Sequence, residues 1–102
     1  MRFIIIKSEY NDLDKCQFHD GKIIYYKKNT GLYHNPYGPA IIYKDGTKYY
    51  CIENKYHRLD GPAVIYANGS ECYYINNEYL TKEKFEIQRL KFLGKEYLIA
   101  LT

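Results

Sequence analysis

Hydrophobic and polar positions alternate in short runs over most of the chain. The runs Ala40-Ile41-Ile42-Tyr43 and Lys48-Tyr49-Tyr50-Cys51-Ile52 are β-branched and aromatic, side chains that suit a pleated strand. Between them lies Asp45-Gly46, and the same punctuation recurs as Asp20-Gly21 and Asn68-Gly69. These dipeptides favour two-residue type I′ turns, in which both central residues need positive φ. Gly38-Pro39 and Gly61-Pro62 mark where each hairpin begins, at points where proline removes no ladder donor. The pattern predicts antiparallel hairpins paired edge to edge in a meander, since a lone hairpin is marginal in water.

The spacing changes at Thr81. Thr81 is placed to cap a helix over Lys82–Leu93, with Gly94 as its stop. Phe85, Leu90 and Leu93, with Phe92 beside them, form its apolar stripe. Upstream, Phe3–Ile6 is a short apolar run, and Tyr97–Leu101 reads equally as a last strand beside it or as a second short helix. The expected organisation is one domain over 1–102: an N-terminal strand and loop at 1–15, hairpin repeats at 16–80, and a helical cap and tail at 81–102.

Residues 33–55 laid over 56–78 agree at 11 of 23 positions. The shared residues include Tyr33/Tyr56, His34/His57, Gly38/Gly61, Pro39/Pro62, Ala40/Ala63, Gly46/Gly69 and Asn54/Asn77. A degenerate half-copy begins at Asp20-Gly21. The fold class read from this is mainly β, a hairpin-repeat meander of 23-residue period with a short C-terminal helix packed on or capping the sheet.

Two-residue turns fix a parity. With Asp45-Gly46 as the loop, Tyr43 opposes Lys48 and Ile41 opposes Tyr50. The matching hairpins then bring Tyr25, Tyr43, Tyr50, Tyr66 and Tyr73 to one face, a candidate binding surface of repeated rings. The opposite face carries Ala40, Tyr49, Cys51, Ala63, Cys72 and Tyr74, small enough in places for a helix to approach closely. Tyrosine suits a surface that is wet when free and buried when bound. The same rings also suit a sheet core, so the parity alone leaves open which face is covered.

Composition sharpens the picture in three ways. Fourteen of the eighteen aromatics are Tyr. Ile, Lys, Asn and Tyr, all encoded by A/T-rich codons, make up 45 of the 102 residues, which points to an AT-rich genome. The net charge is only +3, with Lys27-Lys28 the one adjacent basic pair, unlike the dense stripe of a duplex-DNA binder. Three cysteines, Cys16, Cys51 and Cys72, make no disulfide framework. No run approaches the length of a membrane span, so the expectation is a reduced, cytoplasmic protein. Cys16-x-x-His19 has ligand-like spacing, but no second tight pair follows to complete a zinc site. No catalytic residue, metal or cofactor is assigned, and the chain reads as non-enzymatic.

The string Tyr56-His57-Arg58-Leu59-Asp60-Gly61-Pro62-Ala63, followed by Tyr66-Ala67-Asn68-Gly69, resembles the His-Arg-x-Asp-Gly-Pro-Ala repeats of phage, large-DNA-virus and some bacterial proteins. These are relatives or mimics of the MORN repeat. In the earlier copy Asn35 and Tyr37 stand where the later one has Arg58 and Asp60. The resemblance covers residues 16–85 and implies an all-β meander with an interaction role. His34, His57, Arg58 and Asp60 form a second candidate surface. In the plainer reading, the histidines bond loop backbone and Arg58 pairs locally with Asp60. The function expected is a small viral accessory protein that binds, and in one version inhibits, a host protein, including one of a defence system. Single-stranded nucleic acid stacked on the tyrosines is the second choice, and self-association through a sheet edge, as a homodimer, is the third.

Overall fold

The computed structural model describes residues 2–94, so the alternatives for Tyr97–Leu101 lie outside the described residues. Ten strands and one helix follow in order: β1 (Phe3–Ile6), β2 (Leu13–Phe18), β3 (Ile23–Lys27), β4 (Ile41–Ile42), β5 (Lys48–Tyr49), β6 (Cys51–Ile52), β7 (Lys55–Tyr56), β8 (Val64–Ile65), β9 (Glu71–Ile75), β10 (Glu78–Leu80) and α1 (Lys82–Phe92). Eight strands form one antiparallel sheet in the order β1-β2-β3-β4-β5-β8-β9-β10, while β6 and β7 pair as a separate ribbon. The described residues are mainly β with one short helix after the last strand. No helix among the described residues is long and apolar enough to cross a membrane.

The Asp-Gly and Asn-Gly turns are not the expected two-residue loops. Ile42 faces Lys48 and Ile41 faces Tyr49. Tyr43 N donates to Thr47 O at 2.9 Å and Gly46 N donates to Tyr43 O at 3.0 Å, so three residues, Lys44-Asp45-Gly46, make the loop. His19-Asp20-Gly21 and Ala67-Asn68-Gly69 close in the same way. In each, glycine alone takes positive φ (93°, 98° and 91°). The preceding acid or amide serves a different purpose. Asp20, Asp45 and Asn68 each accept, through Oδ1, the backbone N–H two residues on, at 3.0, 2.9 and 2.9 Å. This is a side-chain-closed turn followed by a left-handed glycine, the usual three-residue hairpin.

The type I′ signature sits elsewhere. Glu53-Asn54 (φ 47° and 68°) and Asn76-Asn77 (φ 48° and 71°) have both central residues at positive φ, joining Ile52 to Lys55 and Ile75 to Glu78.

One extra loop residue shifts the register by one and exchanges the faces. One row across the sheet now runs Ile5, Cys16, Ile24, Ile41, Tyr49, Val64, Cys72. On this face Ile24, Ile41 and Cys51 are buried together with Ala40, beneath the half-buried rings of Phe18, Tyr26, Tyr43, Tyr49 and Tyr56. A second cluster, Ile75, Leu80 and Phe85 with Leu59 and Tyr73, lies where α1 packs on β9 and β10. The helix therefore covers the Tyr73 side of the sheet rather than the small-residue face, a choice the parity leaves open.

Thr81 does cap α1: its Oγ1 accepts from Lys84 N at 3.2 Å, and Gly94 follows at φ 75°. The expected stripe is thinner than the spacing implied. Phe85 is buried and Leu90 half-buried, but Phe92 and Leu93 are about half exposed: Phe92 lies against the His57 ring, centroids 5.4 Å apart, and Leu93 lines a groove beside it.

Candidate functional site

The five tyrosines expected on one face do not share it. Tyr25 is 5% exposed, and its hydroxyl donates to Glu9 at 2.7 Å. Tyr73 packs on Phe85 under α1, with ring centroids 4.7 Å apart. Tyr50 lies beneath the Arg58 guanidinium, whose carbon is 3.9 Å from the ring centroid. Tyr43 and Tyr66 lie on the opposite face, Tyr43 half-buried and Tyr66 42% exposed. The register error accounts for the split.

That opposite face carries a different row. Tyr43, Tyr49, Tyr56, Tyr74 and Tyr79 touch in succession, with ring centroids 5.4, 5.7, 5.1 and 5.5 Å apart. Their tilted and edge-on angles of 53–80° are those that aromatic quadrupoles favour. Tyr43, Tyr49 and Tyr56 pack over Ile41 and Cys51 on the inside, and the row reaches solvent most fully at Tyr79, 62% exposed. Burial raises the phenol pKa of Tyr43, Tyr49, Tyr56 and Tyr74 above the ordinary value. Each hydroxyl therefore stays protonated and able to donate at physiological pH. Parity counted from the Glu53-Asn54 turn would have found Tyr56 opposite Cys51; an asparagine second in a two-residue gap was the signal missed.

The second surface is a cleft of about 510 Å³ between the two His-x-x-x-Gly-Pro loops, lined by Asn35, Tyr37, Tyr50, His57, Arg58 and Asp60 among others. Each loop is tied by matching bonds. Glu53 N donates to His34 Nδ1 at 3.1 Å and Asn76 N to His57 Nδ1 at 3.0 Å, so both histidines bond loop backbone as the plainer reading held. Because Nδ1 accepts, the neutral ring carries its proton on Nε2. Asn35 Nδ2 donates to Pro39 O at 3.0 Å, and Arg58 Nη1 donates to Pro62 O at 3.1 Å. Arg58 makes no ion pair with Asp60, contrary to expectation: its guanidinium is drawn inward by the Pro62 carbonyl and the Tyr50 ring, while Asp60 stays exposed.

No cluster of three or more His, Cys, Asp or Glu side chains able to hold a metal is found among the described residues. Cys16 and Cys51 are buried, and burial pushes the Cys51 thiol up to about 11, where it is a poor nucleophile. Compared with protein families, curated proteins and solved structures, the chain matches none.

Proposed function

We propose that this chain is a non-enzymatic protein–protein interaction module built from MORN-like hairpin units of 23 residues. The Tyr43-Tyr49-Tyr56-Tyr74-Tyr79 row is its contact surface. The observation that carries the reading is the continuity of that row: five rings in successive contact, of which Tyr43, Tyr49 and Tyr56 are backed by a packed core. Such rings are already held in place, so binding costs little side-chain entropy, and their hydroxyls keep polar partners at a wet rim. The repeat unit is supported by the matched loop bonds at His34 and His57 and by the paired positive-φ turns.

The partner in this reading is a host protein met in the cytoplasm, which a small viral or phage accessory protein occupies and inhibits. Single-stranded nucleic acid ranks second. The turns at one margin of the row carry Asp20 and Asp45 beside Lys22 and Lys44, so they offer phosphate no net positive charge.

The test is affinity capture from lysate followed by direct binding of the purified partner. Tyr79, at the end of the row, and Tyr66, outside the row on the same face, are exposed, so Tyr66→Ala with Tyr79→Ala leaves the fold intact by circular dichroism. This double variant is expected to weaken binding at least about 10-fold, as loss of aromatic anchors does. An unchanged affinity overturns the assignment of the surface. Salt-sensitive binding to oligonucleotides in place of a protein partner overturns the class.

A further inference from the structure

We propose that the outer edge of β1 is a self-association edge, at which two copies of this chain pair antiparallel about a two-fold axis through Ile5. β1 lies at the end of the sheet away from the tyrosine row.

The backbone sets which groups are free. His19 N donates to Arg2 O at 3.0 Å, so Arg2 faces β2. By alternation Ile4 and Ile6, opposite Gln17 and Lys15, also face β2. The N–H and C=O groups of Phe3, Ile5 and the following Lys7 therefore point away from the sheet. The strand is FIII, with no proline, glycine or charge within it, and among the described residues no strand pairs with its outer edge; its four-residue length is the one device present that blunts an edge. Its side chains are bare on both faces: Phe3 is 52%, Ile4 61% and Ile5 78% exposed. A cavity of about 560 Å³ touches Phe3, Ile4 and Phe18, and another of about 480 Å³ touches Phe3, Ile5 and Tyr26.

The occupant follows from self-complementarity. An isologous antiparallel pairing centres on one residue that meets its own copy, and centring on Ile5, the middle of the three outward residues, gives all three a hydrogen-bonded partner. In that register Ile5 meets Ile5 of the other copy, Ile4 meets Ile6, and Phe3 meets Lys7, whose ammonium can lie over the ring. Arg2 meets Ser8, so no like charges are opposed. The three outward pairs close about six backbone hydrogen bonds. Centring on Ile4 instead leaves Lys7 without one of these partners. The assembly also terminates. The far edge is the three-residue β10, which carries Glu78 and runs through Thr81 into α1. A closed dimer is therefore expected rather than a fibre.

Sedimentation equilibrium of the full chain tests this. The mass is expected to rise from 12.2 kDa toward twice that value between about 1 μM and about 1 mM. Over the same range, amide exchange should slow at Phe3, Ile5 and Lys7, while Ile4 and Ile6 stay protected throughout. Ile5→Pro removes one outward donor and none of the bonds to β2, and should leave a folded monomer at every concentration. Should that variant unfold, Ile5→Lys places like charges across the axis on a side chain already in solvent and should give the same monomer. A 12.2 kDa species at the highest concentration overturns the proposal. So does a dimer that persists in Ile5→Lys, or one whose exchange protection falls outside β1.

Discussion

Residues 33–55 and 56–78 share a frame and differ in what that frame touches. In both, a histidine Nδ1 accepts a turn amide and a side chain donates to the proline carbonyl. In both, an asparagine Oδ1 accepts from the opening tyrosine N–H, at 2.7 Å for Asn54 with Tyr33 and 3.2 Å for Asn77 with Tyr56. Two of these three bonds come from identical positions, and the third is kept while its donor changes from Asn35 to Arg58. Other differing positions meet neighbours. Tyr37 stacks on Tyr10 at 4.6 Å and donates to Asp12, which ties the first loop to the N-terminal hairpin. In the second loop, Leu59 packs with Ile75, Leu80 and Phe85, and its carbonyl accepts from Arg89 Nε at 2.7 Å. The lesson is that identity between the copies records local geometry, and divergence records which end of the molecule each copy faces.

The largest expected effect breaks the shared frame in both copies alike. Ala40 and Ala63 are wholly buried, so Ala40→Leu and Ala63→Leu should each destabilise by about 3 kcal/mol through overpacking. Chemical denaturation measures this. A large asymmetry between them would mean that the two frames are not equivalent. Next come the turn asparagines. Asn54→Ala and Asn77→Ala lose a residue that tolerates positive φ and leave the Tyr33 or Tyr56 N–H without its acceptor. Each should cost about 1–2 kcal/mol, read in the same experiment.

Acid sharpens the comparison further. Burial holds His34 and His57 below the ordinary histidine pKa, and for His34 the nearby Glu53 carboxylate partly offsets that burial. The unfolded chain therefore takes up protons first as pH falls. Stability held above the ordinary histidine pKa should decline as pH drops through it toward the lowered folded values, where Nδ1 protonation removes the acceptor. The denaturation midpoint followed between about pH 8 and pH 5 should slope in wild type. It should flatten in His34→Gln with His57→Gln; an unaltered slope would assign the dependence to other groups.

Much of this frame is legible in the chain itself. The β-rich runs, the Thr81 cap and the Gly94 stop act through neighbours in sequence, and the local pattern carries them. The tyrosine surface is not legible from the same reasoning, because it hangs on a single residue of loop length. Asp45 and Asn68 look like the first half of a type I′ pair, yet they act as acceptors for Thr47 and Ser70, and the true positive-φ pairs lie at Glu53-Asn54 and Asn76-Asn77. A period of two amplifies that slip into an exchange of whole faces. The Arg58–Asp60 pairing fails for another reason: the competitor, a carbonyl five residues along the loop motif from His57, is backbone that no side-chain pattern reveals.

The smallest effect tests the divergent positions. Arg58→Asn gives the second loop the residue of the first, and asparagine can make the bond to the proline carbonyl, as Asn35 does to Pro39. What it gives up is the guanidinium over Tyr50, worth about 0.5–1 kcal/mol at a half-exposed site. Arg58→Ala forfeits that contact and also leaves the Pro62 carbonyl without its donor, so it should be the more destabilising of the two. The order of the two variants in denaturation is what matters. If asparagine proves no better than alanine, the proline-carbonyl bond is not interchangeable between copies, and the difference at Asn35 and Arg58 reaches into the frame rather than only its surroundings.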